Sequence, residues 1–309
     1  MLISIVIPIY NESANISPLW ESLSAVMTTL EAPWECIFVD DGSHDDSLAR
    51  LANLQQRHPQ CRIISLSRNF GHQAALLAGL QASRGDCVIT MDGDLQHPPH
   101  IIPQLLVQWK NGAHIVNTRR VDRRQLNLKR LTSGLFYRLF SSLSGQRLLP
   151  GMADFRLLDR QVVETLSQTQ ERALFLRGIL QWLGFRQAIV DYEPAKRLSG
   201  KSGYSTGKML HLAMDGITSF SLIPLRMATY LGFLFSFASF AYLSYALYGW
   251  WYTSHNIVGW TSVVGSVLFL GGIQLICLGI MGEYIGKIYL EVKHRPHYVI
   301  EKTLGFDDE

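Results

Sequence analysis

Two stretches near the end of the chain restrict its architecture more than anything else in it. Residues 227–252 (MATYLGFLFSFASFAYLSYALYGWWY) and residues 257–281 contain no Asp, Glu, Lys or Arg. Each reaches the roughly 20 apolar residues needed to cross a bilayer. The core helix of a soluble protein can be equally apolar. Two in tandem, with Trp250, Trp251, Tyr252 and Trp260 at their shared end, instead match the aromatic belt of a membrane interface. The connection between them carries no Lys or Arg, whereas Arg226 precedes the first and Lys287, Lys293 and Arg295 follow the second. Basic residues favour the cytosolic flanks of a span. The pattern predicts two transmembrane helices, 227–252 and 257–282, in an inner or plasma membrane. A catalytic-sized domain before them and a tail, 283–309, would both be cytosolic.

The remaining composition fits that placement. Cys36, Cys61, Cys87 and Cys277 are widely spaced, with no CxxC pair or Cys/His cluster, which reads as reduced structural thiols rather than a zinc site. A net charge of +3 offers no strongly basic surface for nucleic acid. The opening MLISIVIPIY lacks the basic start and cleavage site of a signal peptide and reads as a first strand.

From there to about residue 118, short β-branched runs alternate with helical stretches. The runs are Ile3–Ile9, Cys36–Asp40, Arg62–Leu66, Cys87–Met91 and His114–Asn117; the helices are Ile16–Leu30, Asp45–Gln56, Gln73–Ala82 and Ile101–Lys110. This rhythm predicts an α/β fold, a mostly parallel sheet flanked by helices. Ligands of such sheets bind beyond the carboxyl ends of the strands. Three polar clusters fall there: Tyr10-Asn11-Glu12, Asp40-Asp41-Gly42-Ser43 and Asp92-Gly93-Asp94.

Asp-Gly-Ser after a strand is also an ordinary turn and helix cap, so the second cluster alone has a structural reading. Asp92-Gly93-Asp94 is different. Two carboxylates flanking a residue that lets the chain turn tightly can face one hard divalent cation, Mg²⁺ or Mn²⁺, shared with a diphosphate. Neither a G-x-G-x-x-G fingerprint nor a P-loop is present. Phosphates would then be neutralised by metal and arginine. His97, ahead of Pro98-Pro99, is read as part of a stiff turn rather than a ligand.

VIPIYNE, FVDDGS, SRNFGHQAALLAGL and MDGDLQHPP, in this order, resemble the family 2 glycosyltransferases of GT-A fold. GMADFRLLDR, RLSGKSGYS and DGITSFSLIPLR resemble the polyprenyl-phosphate branch of that family, similar to the bactoprenol glucosyltransferases of GtrB type and to dolichol-phosphate mannose synthase. The resemblance covers essentially the whole chain. It implies a GT-A catalytic domain over 1–202, and Met209, Leu212, Ala213, Ile217 and Phe220 at helical spacing predict a juxtamembrane amphipathic helix over 203–226. By the same resemblance Pro8, Tyr10 and Glu12 line a nucleotide pocket, and Asp40 or Asp41 accepts a hydrogen bond from the base. Arg68 and Asn69 support that side of the donor. Asp92 and Asp94 are the DxD metal ligands with Gln96 completing the shell, and Asp154 is at the catalytic acid–base position.

The implied acceptor is a polyprenyl phosphate, already largely anionic at neutral pH. Asp154 is therefore expected to orient the attacking oxygen and stabilise charge at the anomeric carbon more than to abstract a proton. Arg119, Arg130, Arg197 and Lys201 are the candidates for the acceptor phosphate. Arg120, Arg123 and Arg124 read as a solvated run. RLSGKSGYS is expected to be a mobile loop over the donor. Leucines at helical spacing predict an interfacial helix over about 126–143, holding the pocket at headgroup depth. The spacing of Gly282 and Gly286 points to a homo-oligomer.

The expected reaction is inverting hexosyl transfer from UDP-glucose to polyprenyl phosphate. A mannose or 4-amino-arabinose donor is an alternative, and a non-catalytic membrane scaffold is the reading from a different class. A processive synthase is disfavoured by two spans and the lack of a QxxRW motif.

Overall fold

A computed structural model describes residues 1–121, 152–169, 175–193, 221–253 and 259–306. The chain divides into two compact units: an α/β unit that includes the last strand, and a unit made chiefly of two long helices.

The α/β unit begins with β1 (Ile3–Ile9), α1 (Ile16–Thr29), β2 (Trp34–Asp40), α2 (Ser47–Arg57), β3 (Cys61–Leu66), α3 (His72–Ala82) and β4 (Cys87–Thr90). After a 3-10 turn at Pro99–Ile101 come α4 (Ile102–Lys110) and β5 (Ile115–Arg120). Every residue of β1 is buried, as expected of a parallel strand covered on both faces. Three elements beyond the alternating region complete the sheet: β6 (Met152–Asp159), β7 (Gln187–Tyr192) and β8 (Ile300–Leu304). Two short helices, α5 (Arg160–Ser167) and α6 (Leu176–Trp182), separate β6 from β7. Asp159 caps α5, accepting the Gln161 amide at 2.9 Å and the Trp109 indole N–H at 2.7 Å.

The strand order is β7-β5-β6-β4-β1-β2-β3-β8. β1, β2, β3 and β4 run parallel, as do β5 and β7, while β6 is inserted antiparallel between β4 and β5. The sheet is therefore mixed. Register explains how the polar clusters meet. Ile9 pairs with Asp40, so Tyr10–Glu12 emerge beside Asp40-Asp41. Val6 pairs with Thr90, so Asp92 emerges beside the end of β1. Thr90 pairs with Arg156 in the opposite direction, and continuing that register sets Asp154 across from Asp92.

The segment read as a tail has structure of its own. β8 pairs antiparallel with β3, Leu304 opposite Ile63, and covers what would otherwise be an open edge. Arg62 lies over the Phe306 ring at 5.4 Å, and the Ser67 amide donates to the Val299 carbonyl at 3.0 Å.

The second unit holds α7 (Ile223–Thr253) and α8 (Trp260–Val292), of 31 and 33 residues. At about 1.5 Å per residue each exceeds the hydrocarbon thickness of a bilayer. Phe233, Phe237, Tyr245, Leu275, Ile276 and Ile285 are all exposed. Helices apolar around their whole circumference need lipid or protein on every side. The two touch through Phe235 and Phe269, edge to face at 5.4 Å, and the Tyr284 hydroxyl donates to the Ser221 carbonyl at 2.6 Å. Gly282 and Gly286 lie against no other part of the described chain. The expected helix over 126–143 and residues 203–220 of the expected juxtamembrane helix lie outside the described residues.

Candidate functional site

The three strand ends are locked together by short-range hydrogen bonds. Asn11 takes a positive φ of 53°, its amide donates to Ser43 Oγ at 3.0 Å, and its side-chain oxygen accepts the His44 amide at 2.8 Å. Gly42 has φ +68°, and a Cβ there would come within 2.5 Å of the Arg68 backbone. Only glycine permits that turn and that approach together. This contact draws the loop of Arg68, Asn69 and Phe70 against Asp41, where Arg68 stacks on the Phe70 ring at 4.4 Å. Tyr10 and Asn69 are exposed, Glu12 is half-buried, and Pro8 is buried within β1.

Asp40 and Asp41, indistinguishable in the sequence, have separate environments. Asp41 Oδ1 accepts the Phe70 amide at 2.7 Å and its Oδ2 the Gly71 amide at 3.0 Å. Asp40 has Ser43 and Ser65 near Oδ2 at 3.4 and 3.5 Å, while its buried Oδ1 has no hydrogen-bond partner. Burial pushes both carboxyls up from their ordinary value. Asp41 is thus the loop holder, and Asp40 has an acceptor oxygen in need of a donor.

The acid loop after β4 is shaped by proximity and by one strained residue. A Cβ on Gly93 would meet Ile9 Cδ1 at 2.5 Å, so glycine is needed there for closeness. The left-handed residue of the loop is Leu95, with φ 63°, where the sequence suggested Gly93 made the turn. His97 is buried, stacked on Phe155 at 5.2 Å and edge-on to Tyr192 at 6.0 Å. Its Nδ1 accepts the Asp92 amide at 2.9 Å. Burial lowers its pKa against the pull of the nearby acids, which suits a neutral ring used as a brace. The stiff-turn reading of the His97-Pro98-Pro99 stretch thereby gains a mechanism.

Asp92 Oδ1 lies 2.8 Å from His72 Nε2 at the start of α3. Burial would raise the Asp92 carboxyl, but that hydrogen bond and the two neighbouring histidines hold it below its ordinary value. Asp94 accepts the Gln96 backbone amide at 3.1 Å and is also bonded by the Gln96 side-chain amide. Gln96 Oε1 in turn accepts from Arg120 Nη1 at 3.2 Å. Gln96 therefore presents its nitrogen to Asp94 and gives its oxygen to Arg120, which differs from the expected third metal ligand. Among the described residues no group of three or more His, Cys, Asp or Glu is arranged to hold a metal ion by itself. The donor set is two hard carboxylates, which fits Mg²⁺ or Mn²⁺ when a diphosphate supplies further oxygens.

Asp154 sits on β6 beside Arg156, two residues on and hence on the same face. It is ion-paired to Arg156, and Arg177 of α6 closes a fork on it, Nε to Oδ1 at 3.0 Å and Nη2 to Oδ2 at 2.9 Å. Burial would raise this carboxyl, yet the two guanidiniums hold it well below the usual carboxylate range. A carboxylate so held is a poor proton acceptor. Each of its oxygens already accepts a guanidinium N–H, which departs from the expectation that it orients the attacking oxygen directly.

Strand alternation separates Arg119 from Arg120. Arg119 spends its fork on Asp191 of β7, both contacts at 2.8 Å, while Arg120 reaches Gln96. The arginine set aside as solvated is the one beside the acid loop. Arg130, Arg197 and Lys201 lie outside the described residues. His72, Arg156 and Arg177 escaped the sequence reading. An acid and a base two apart in an otherwise buried strand was the available signal for Arg156; nothing local marks Arg177.

Residues 4–175 match the model of glycosyl transferase family 2, and residues 223–288 match that of the GtrB C-terminal hairpin. The SfII prophage-derived bactoprenol glucosyl transferase of Shigella flexneri is 40% identical over 304 residues, 98% of this chain and 98% of that one. The uncharacterized glycosyltransferase YkcC of Bacillus subtilis (strain 168) is 40% identical over 307 residues, 99% of this chain and 95% of its own. Among solved structures, mannosyl-3-phosphoglycerate synthase from Rubrobacter xylanophilus shares the fold, with a TM-score of 0.50 at 18% identity over 70% of this chain and 71% of that one.

Proposed function

The chain belongs to glycosyl transferase family 2, and on that premise we propose that it transfers a hexose, glucose from UDP-glucose, with inversion onto a polyprenyl phosphate in the membrane. The observation that carries the reading is the meeting of Asp92, Asp94 and Asp154 at the carboxyl edge of the sheet in a chain that also bears two helices apolar all round. The names of relatives at 40% identity, bactoprenol glucosyl transferases, support the sugar and the lipid.

Asp40 Oδ1, buried and unpartnered, suits the N–H of a base, while Asp41 holds the wall of that pocket. Pro8, Tyr10, Glu12, Arg68 and Asn69 would line it. Asp92 and Asp94 would hold the divalent cation, which supplies positive charge for the leaving diphosphate. Gln96 could join them only by releasing Arg120. His97 and Leu95 fix the loop against the sheet so that little reorganisation accompanies loading. The acceptor's phosphate is its own nucleophile, so no residue need act as a strong base. Asp154, ionised and clamped, fits that chemistry better than proton abstraction.

Membrane attachment follows from α7 and α8. The chain leaves the α/β unit before α7 and rejoins it as β8 after α8. With two spans this connectivity supports both ends lying on one face of the membrane, and the basic residues at those ends favour the cytosolic face. The test is to incubate the purified full chain with Mn²⁺, several labelled nucleotide sugars and a short polyprenyl phosphate. Labelled lipid from UDP-glucose is the expected product; release of free sugar without labelled lipid would overturn the acceptor.

A further inference from the structure

The last strand adds little to the core. Val299 and Ile300 are exposed, and within β8 only Leu304 packs against the buried cluster. What the returning chain does contribute is backbone pairing, and that pairing runs toward the donor side of the sheet. Lys302 lies opposite Ser65, whose hydroxyl is 3.5 Å from Asp40 Oδ2. The register then shifts, setting Ile300 opposite Leu66 and leaving Glu301 as a bulge. Contact continues beyond the strand, where the Val299 carbonyl accepts the Ser67 amide at 3.0 Å. One residue earlier, the Tyr298 hydroxyl donates to Gln81 Oε1 on α3.

Covering an open edge accounts for the ladder from Ile63 to Leu66. It does not account for Val299 and Tyr298, which bracket another segment. Ser67 precedes the loop of Arg68, Asn69 and Phe70, and α3, which carries Gln81, follows it. In the sheet β3 lies between β2 and β8, so both neighbours flank the loop that leaves it. From the β2 side, Asp41 accepts the Phe70 and Gly71 amides and Gly42 packs against the Arg68 backbone. From the β8 side, the hold comes from the returning tail.

We propose that Tyr298 and Val299 are positioning residues of the nucleotide pocket: the tail fixes the Arg68–Asn69 loop, and affinity for a nucleoside diphosphate depends on it. This rests on the donor reading above, in which that loop lines the pocket beside Asp40. A loop already ordered by the tail spares the donor the cost of immobilising it. Loosening the tail would leave Asp92 and Asp94 in place and weaken the hold on the nucleotide.

UDP with Mn²⁺ is titrated calorimetrically into the purified full chain in nanodiscs, and hydrogen exchange of residues 67–71 is followed alongside. Val299→Pro re-aims the backbone at the contact, since proline fixes φ and confines the residue before it, Tyr298. It should speed exchange at 67–71 and weaken UDP by about 3- to 10-fold, the cost of ordering one or two side chains. KM for UDP-glucose should rise with it, while kcat stays within about twofold of wild type. Tyr298→Phe removes only the bond to Gln81 and should weaken UDP by about 2- to 5-fold.

Gly305→Val perturbs the tail at its other end. Gly305 has φ +76°, and a Cβ there would lie 2.8 Å from the Cys61 carbonyl oxygen, so this variant should lose stability yet bind UDP like wild type. Equal losses of UDP affinity in Gly305→Val and Val299→Pro would overturn the inference, because the tail would then act only through the stability of the fold. Wild-type UDP affinity in a folded Val299→Pro overturns it too. Should Val299→Pro fail to fold, Tyr298→Phe decides by the same measure. A wild-type chain that binds no UDP overturns the donor reading instead, and exchange at 67–71 then judges the tail.

Discussion

The loop after β4 and the middle of β6 each bring an aspartate to the same edge of the sheet, under opposite constraints. Asp92 and Asp94 are half-buried and held by a histidine and an amide, partners a cation can displace. Asp154 is held by two guanidiniums that hydrogen-bond it and neutralise its charge. One residue type thus serves two purposes, a seat for a cation and a fixed counter-charge for arginines. The environment sets the division, as it does wherever paired carboxylates take different roles.

The comparison breaks first at the acid loop. Asp94→Ala should reduce transfer by about 10²–10³-fold, the scale of losing one preorganised electrostatic group. Rates measured across a Mn²⁺ titration check it: excess metal should not restore the variant. Full restoration would mean that the loop is no cation seat.

Next comes the locked carboxylate. Asp154→Asn leaves the buried Arg156 without its counter-charge, a change worth about 3–5 kcal/mol of stability for a buried pair. Denaturant unfolding in detergent reads this directly. A loss below about 1 kcal/mol would show that the guanidiniums are not held as the structure has them.

The same lock has a pH signature. The folded carboxyl lies below its unfolded value of about 3.9, so its contribution is complete above that value and is lost as pH falls through the folded one. The stability gap between wild type and Asp154→Asn should stay constant from pH 5 to pH 8 and narrow only below about pH 4. The transfer rate should likewise show no limb from Asp154 in the neutral range. A limb near pH 6 that vanishes in Asp154→Asn would restore the acid–base role.

What the sequence revealed follows from how locally each feature is encoded. β1 to β5 and their helices announce themselves because period and burial agree over each short run, and α7 and α8 because charge is excluded from whole segments. β8 was invisible: IEKTL is short and charged, and it becomes a strand only because β3 offers an open edge. Asp40, Asp41, Asp92 and Asp94 were legible since they cluster at strand ends, and Asp154 only through the family resemblance of the stretch around it. Their partners were not. His72 lies 20 residues from Asp92 and Arg177 lies 23 from Asp154, so both pairings depend on the tertiary fold.

The finest contrast separates two adjacent arginines. Arg119 and Arg120 differ by one position, and alternation sends the first to Asp191 and the second to Gln96 in the acid loop. An exposed ion pair such as Arg119–Asp191 contributes about 0–1 kcal/mol, so Arg119→Ala should change stability by no more than that. Arg120→Ala removes one exposed hydrogen bond, worth about 0.5–1.5 kcal/mol, and should lower the Mn²⁺ activation constant by roughly threefold to tenfold, because it frees the Gln96 oxygen and takes a positive charge away from the acids. Arg119→Ala should not shift that constant, because Asp191 holds its guanidinium away from the loop. Equal shifts in the two variants would mean that the strand face does not decide which arginine governs the acids.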